Sequence, residues 1–226
     1  MKKTVGFVIA DDLEFKPFRE YTLANGGKEI EHKPQSVVYI ETEKAFIYAI
    51  ESGMGKVNAA LAALELIKDY KVEYILNAGL SGAVSGLKKG DIVAGTTYVE
   101  CDFDLRPLDY ELGCKPTGQY IMDASPELLK MALAVDGIKE AKLGTGDLFL
   151  TDPVRKAEYS KIFSVNAFDM ESGAIASTCD RYNIPFLSIR KISDDADDCA
   201  KDSYRTMNKL CELALTQVLL QVVENF

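Results

Sequence analysis

Eight short runs of β-type residues alternate with helix-period segments along a chain of 226 residues, and no other feature restricts the fold so strongly. The β-type runs cover residues 5–10, 37–41, 45–51, 74–78, 91–99, 142–145, 167–170 and 185–192. Helical periodicity starts at Lys56, where Val57, Leu61, Leu64 and Ile67 share a face, and again at Pro126, Pro153 and Ser172. A last stretch, 202–223, holds Met207, Cys211, Ala214, Val218 and Val222 in register. Such alternation predicts an α/β fold in which a twisted, mostly parallel sheet lies between helices, a three-layer α/β/α sandwich. Only Thr42-Glu43-Lys44 separates the runs 37–41 and 45–51, the length of a hairpin turn, so the sheet is expected to be mixed. No repeat and no Pro/Gly/Ser linker divides the chain, and one domain over residues 1–226 is the economical reading.

Charge and rare residues narrow the chemistry. A formal charge of −9 argues against a nucleic-acid binder, because that affinity rests on Lys and Arg neutralising phosphates. The five cysteines, Cys101, Cys114, Cys179, Cys199 and Cys211, are irregularly spaced and form no metal-ligand pattern, so they read as reduced thiols. His32 is the sole histidine and lies in a polar stretch; a histidine triad or imidazole-rich metal site has no support, and acid/base work falls to carboxylates. The apolar run 4–10 is too short for a secretory signal, and the stretch 207–223 is broken by Lys209, Glu212 and Gln217. A cytoplasmic protein without cofactor or metal is expected, bound to neither membrane nor nucleic acid.

Two acids stand where strands should end. Glu171 closes the run 165–171 and opens the small-residue run 172–178, and Asp194 closes the run 184–193. In open α/β sheets ligands bind outside the carboxyl ends of the strands, so acids placed there face a crevice. The same positions suit a helix cap, and Ser193-Asp194-Asp195-Ala196-Asp197-Asp198 also suits a solvated charge run. Two glycine clusters, Ser52-Gly53-Met54-Gly55-Lys56 and Asn77-Ala78-Gly79-Leu80-Ser81-Gly82-Ala83, mark places where backbone approaches something closely, each also readable as a turn. Neither matches GxGxxG or GxxxxGK[ST], which leaves a dinucleotide or triphosphate site, and with it an NAD-dependent oxidoreductase, unsupported.

The order and spacing of Ser52-Gly53-Met54-Gly55-Lys56-Val57, Asn77-Ala78-Gly79, Gly90-Asp91-Ile92-Val93, Gly146-Asp147-Leu148-Phe149, Met170-Glu171 and Ile192-Ser193-Asp194 resemble those of the nucleoside phosphorylase superfamily. Within it the chain most resembles the 5'-methylthioadenosine/S-adenosylhomocysteine nucleosidases, from Val5 to about Tyr204. The resemblance implies a nucleoside phosphorylase-like fold and hydrolysis of the N-glycosidic bond of 5'-thio-substituted adenosines. By the same resemblance Glu14 activates water, Glu171 with Met170 clamps the ribose hydroxyls, and Asp194, oriented by Ser193, protonates the purine. Phe149 stacks on the base and backbone groups of Leu150 read its edge, while Met54, Leu80 and Arg190 line the same pocket. Phe103 and Tyr204 are assigned to the apolar side that receives the 5' substituent.

Phosphorylases of this superfamily hold phosphate with arginines, one in a Gly-Asp-Pro-x-Arg segment after the first strand. Here that place reads Ala10-Asp11-Asp12-Leu13-Glu14, and Asn77 occupies the second arginine position, so water rather than phosphate is the expected nucleophile. The chain departs from the family's usual pattern at Leu80 and at Cys101, which stands in place of a histidine. The irregular, apolar-containing segment 100–119 reads as covered by a second copy, since family members are commonly homodimers. A phosphate-dependent purine nucleoside phosphorylase and a non-catalytic nucleoside-binding protein remain the alternatives.

Overall fold

In a computed structural model the described residues are 1–30, 35–116, 120–196, 206 and 212–226. Strands β1 (Lys3–Ile9), β4 (Ala45–Glu51) and β5 (Tyr74–Ala83) form a parallel central unit with β1 in the middle. The hairpin expected from the short Thr42-Glu43-Lys44 link is present: β3 (Val37–Glu41) runs antiparallel to β4 and carries the short β2 (Lys28–Ile30) on its outer edge. Beyond β5 the sheet curls. Strand β10 (Phe186–Asp194) bonds to both β5 and β6 (Ile92–Glu100), β6 bonds to β8 (Ile138–Thr145), and β9 (Ala167–Asp169) joins β8 back to β5. Five strands thereby close into a ring, and β7 (Ile121–Asp123) hangs from β6.

This is the mixed sheet with flanking helices that the alternation predicts, with two differences. The sheet is not mostly parallel: of the ten strand pairings among the described residues five are antiparallel, because β9, β10, β7 and the β2–β3 edge each run opposite to a neighbour. The second glycine cluster is not a turn either. Residues 79–83 continue β5, since Gly79 and Gly82 leave space for side chains of neighbouring elements to cross the strand.

Helices α2 (Lys56–Lys68), α3 (Pro126–Leu133), α4 (Pro153–Phe163) and α5 (Ser172–Tyr182) begin at the residues that the sequence marks, two of them with Pro at the first turn behind a Ser or Asp cap. The last described helix is α6 (Glu212–Glu224); Met207 and Cys211 lie outside the described residues. Helix α1 (Asp12–Ala24) escapes the sequence reading because Pro17 sits inside it, yet Asp11 caps it through the Leu13 N–H and Phe15, Phe18 and Thr22 bury one face. Helix α2 packs on α5, while α1 and α3 pack on α6.

The face of α2 is a correction. Ala59, Ala62, Ala63 and Leu66 enter the core, whereas Val57 and Leu61, read as the apolar face, are 69% and 56% exposed. Small residues are selected inward because the helix lies close against the sheet, where Leu66 meets Gly6.

Tyr98 locks the closed ring from inside. Fully buried, it packs against the Phe186 ring, accepts the Ser188 N–H at 2.9 Å and donates to the Gly95 carbonyl at 3.1 Å, so one backbone position on β6 and one on β10 depend on one hydroxyl. Tyr98→Phe keeps the ring but strands a buried donor and acceptor, at a cost of about 1–3 kcal/mol. Urea unfolding is expected to show a lower midpoint at unchanged slope.

Candidate active site

The carboxyl ends of β1, β5, β9 and β10, with the loops after β4 and β8, surround a cavity enclosing about 630 Å³ of space, part of it open to solvent. Glu14, on the first turn of α1, reaches across to β5, where its Oε1 accepts the Leu80 N–H at 2.8 Å. Glu171 arrives from the β9–α5 junction. It makes no side-chain cap, because Asp169 does that work: Asp169 Oδ1 accepts the N–H groups of Glu171 and Ser172 at 3.0 and 2.9 Å and the Thr145 hydroxyl at 2.9 Å. Relieved of capping, Glu171 turns inward, accepting the Gly55 N–H on Oε1 at 3.1 Å and the Arg190 guanidinium on Oε2 at 3.3 Å.

Asp194 sits where β10 slips in register against β5, between Ile192 and Asp194, and such irregularities re-aim side chains at the end of a strand. It is 3% exposed, which rules out a solvated charge run at this position. The Ser193 hydroxyl donates to Oδ2 at 2.5 Å, and the Ala196 N–H, in a left-handed turn, donates to Oδ1 at 2.8 Å. Gly82 is required beneath it, since a Cβ there would stand 2.9 Å from Asp194 Oδ1.

Among the described residues Asp11, Glu14, Asp169, Glu171 and Asp194 line the cavity, against a single guanidinium just beneath its floor. Arg190 is 1% exposed; it approaches Glu171, stands 3.4 Å from Asp169 Oδ2, and is fixed by Asn77 Oδ1 at 2.6 Å and Ser188 Oγ at 3.0 Å. Burial pushes the Glu14 pKa up to about 8; the charges of Glu171 and Asp11 act in the same direction, and the Leu80 N–H and Arg190 only partly oppose it. Burial likewise raises the pKa of Glu171, with Arg190 pulling the other way. Raised carboxylate pKa values beside one another in a cleft are a mark of acid/base sites.

Residues 4–224 match the family model described as phosphorylase superfamily. The chain is 34% identical over 195 residues to the 5'-methylthioadenosine/S-adenosylhomocysteine nucleosidase of Bacillus subtilis, covering 81% of this chain and 83% of that one. The chain belongs to the phosphorylase superfamily, among its 5'-methylthioadenosine/S-adenosylhomocysteine nucleosidases. The Neisseria meningitidis nucleosidase in complex with methylthio-immucillin-A superposes with a TM-score of 0.91 at 28% identity, covering 99% of this chain and all of that one. The Helicobacter pylori nucleosidase with butyl-thio-DADMe-Immucillin-A shares the fold at a TM-score of 0.95 and 24% identity over the whole of both chains.

Of the residues that the family resemblance singles out, Glu14, Met54, Leu80, Phe149, Leu150, Met170, Glu171, Ser193 and Asp194 line the cavity. Arg190 does not; it lies under the acids and acts on them, because β10 points it back through the sheet toward Asn77. Phe103 is outside the cavity, its ring facing Lys115 and its carbonyl held by Gly113, because the chain turns away after β6. Tyr204 lies outside the described residues. Cys101 is fully buried in the small core with Val99, Leu112 and Phe168, so the departure from the nucleosidases' histidine concerns packing under the site. Sequence reading missed Asp11, Ser81 and Asp169. Asp169 could have been found as the acid best placed to cap α5; Ser81, whose buried hydroxyl has no hydrogen-bond partner, carries no such signal.

A raised Glu14 pKa has a definite sign for stability. The native protein keeps this proton up to about pH 8, whereas the unfolded chain releases it near 4.5, so the native state loses stability as pH rises between those values. Glu14→Gln, which mimics the protonated form, should therefore gain stability relative to the unaltered protein on passing from pH 5 to pH 9, by on the order of a few kcal/mol. Urea midpoints of the two proteins at both pH values test it.

Proposed function

We propose that the chain hydrolyses the N-glycosidic bond of 5'-thio-substituted adenosines, such as 5'-methylthioadenosine and S-adenosylhomocysteine, to adenine and the free ribose derivative. The observation that carries this reading is the convergence of Glu14, Glu171 and Asp194, distant in sequence, on one cavity. Breaking a C–N bond to ribose builds positive charge on the sugar and negative charge on the leaving base. Glu171, anchored by Gly55 and Arg190, accepts the sugar hydroxyls and faces the developing cation; Asp194, oriented by Ser193 and Ala196, delivers a proton to the base; Glu14 takes a proton from the attacking water.

Water is favoured over phosphate by the charge balance. Among the described residues five carboxyl groups line the cavity, Arg190 beneath it is already engaged by Glu171 and Asp169, and Asn77 points at Arg190 and the Val8 carbonyl instead of into the cavity. A phosphate dianion would be set beside several carboxyl groups in a partly desolvated site. Met54, Leu148 and Phe149 give the mouth an apolar wall suited to a thioether. We assign the outer face of α2 to a second copy of the chain: Val57 and Leu61 form an exposed apolar stripe over a groove shared with Ala60, Leu64 and Tyr182.

Purified protein should release adenine from 5'-methylthioadenosine at the same rate with and without inorganic phosphate; strict phosphate dependence would return the chain to phosphorolysis. Asp194→Asn should lower turnover about a hundred- to ten-thousand-fold with the fold intact, as expected for loss of a general acid. In the unaltered protein kcat/KM should rise with pH through about 8, where Glu14 gives up its proton.

A further inference from the structure

Two loops that wall the cavity are tied together by charges lying outside it. Lys56 directly follows Met54-Gly55, and Asp147 stands two residues before Phe149. The Lys56 N–H donates to Asp147 Oδ1 at 2.7 Å, the Asp147 N–H donates to Asp102 Oδ2 at 2.8 Å, and Lys56 Nζ returns to Asp102 Oδ1 at 2.7 Å. The ring so formed joins the loops after β4, β6 and β8. Glu100 braces it by accepting Lys56 Nζ at 3.2 Å and is itself bonded by Lys115. Burial opposes the charge on Lys56, but its hydrogen bond and attraction to Asp102, and then the charge of Glu100, outweigh that and raise its pKa, so Lys56 stays charged at neutral pH.

Glycines make the ring possible. A Cβ on Gly146 would stand 3.1 Å from Asp102 Cγ, and one on Gly55, where φ is +96°, would stand 3.1 Å from Asp147 Oδ1. On the cavity side the same loops carry the Gly55 N–H bonded to Glu171, and Met54 and Phe149, which stand half exposed at the mouth. Neither Asp102 nor Lys56 lines the cavity.

We propose that Asp102 is a positioning residue: by holding Lys56 and Asp147 in one ring it sets the spacing of loops 52–55 and 146–150, and thereby how tightly the cavity grips its nucleoside. The identity of that ligand rests on the reading under Proposed function. Met54 and Phe149 make apolar contacts with the ligand that are the same in ground state and transition state, and Glu171 keeps its anchor on Arg190, so loosening the loops weakens both states alike and the effect falls on KM.

The test pairs steady-state kinetics on 5'-methylthioadenosine with amide hydrogen exchange of the ligand-free protein. Asp102→Asn keeps the shape and removes the charge. It should raise KM about tenfold, equivalent to about 1.4 kcal/mol, with kcat within about twofold. Exchange should quicken in 52–56 and 146–150 and stay unchanged in β5. Lys56→Met should do the same, and the double variant should be no worse than either single one, since both break one ring. A KM within about twofold of the unaltered protein, an equal fall in kcat, or additive losses in the double variant would each overturn the proposal. Should the unaltered protein cleave no adenine nucleoside, the functional reading fails, and calorimetric affinity for adenine replaces KM, with equal affinity in Asp102→Asn overturning the proposal.

Discussion

A buried guanidinium among buried acids is the interaction on which the site depends. Arg190 lies between Asp169 and Glu171, within reach of the field of Glu14, and its remaining donors go to Asn77, Ser188 and the Leu80 carbonyl. Taking such a cation from water is tolerable only when every donor is matched, and removing one member of a buried ion cluster costs about 3–5 kcal/mol. The matching explains why Gly79 has no side chain: a Cβ would lie 2.6 Å from Arg190 Nη1 and 3.0 Å from Glu14 Oε2. One cation therefore holds three acids close together, yet leaves Glu14 so poorly compensated that its proton is retained to about pH 8.

The closed ring of strands supplies the frame for that cluster. Since β5 bonds to β1, β9 and β10, its carboxyl half lies beside the ends of β1 and β10 and along the short antiparallel β9, which brings Ala10, Asp169 and Asp194 around the β5 backbone from Leu80 to Gly82. An open sheet would spread these positions along an edge. Closure gathers them around one cavity, and the register slip in β10 turns Asp194 into it. Tyr98 and Phe186 fill the ring from inside, so the packing of the frame and the geometry of the acids are one problem.

Division of labour among neighbouring acids follows from local backbone geometry. Asp169 and Glu171 are two residues apart, yet one spends its Oδ1 on the first N–H groups of α5 and the other faces the cavity. Asp102 and Asp147 are acids near the same site whose partners lie on its outer side. Acid content by itself says nothing about which carboxyl group reacts; the backbone donors that each one meets decide it.

Much of this was legible in the chain order. The alternation of β-type and helical segments follows from the periods that half-buried strands and helices impose, and it gave the α/β class, the β3–β4 hairpin and the starts of α2 to α5. The six short motifs in order gave the family, and with it the expectation that Glu14, Glu171 and Asp194 meet at one site; all three line the same cavity. What periodicity could not decide was which side of an element faces inward. Val57 and Leu61 carry the helical stripe but lie outward, since close approach of α2 to the sheet admits only small residues. Closure of the sheet, the placing of Arg190 under the acids, and the exchange of roles between Asp169 and Glu171 belong to the tertiary structure alone, because each depends on which hydrogen-bond donors and charges from distant segments meet in space.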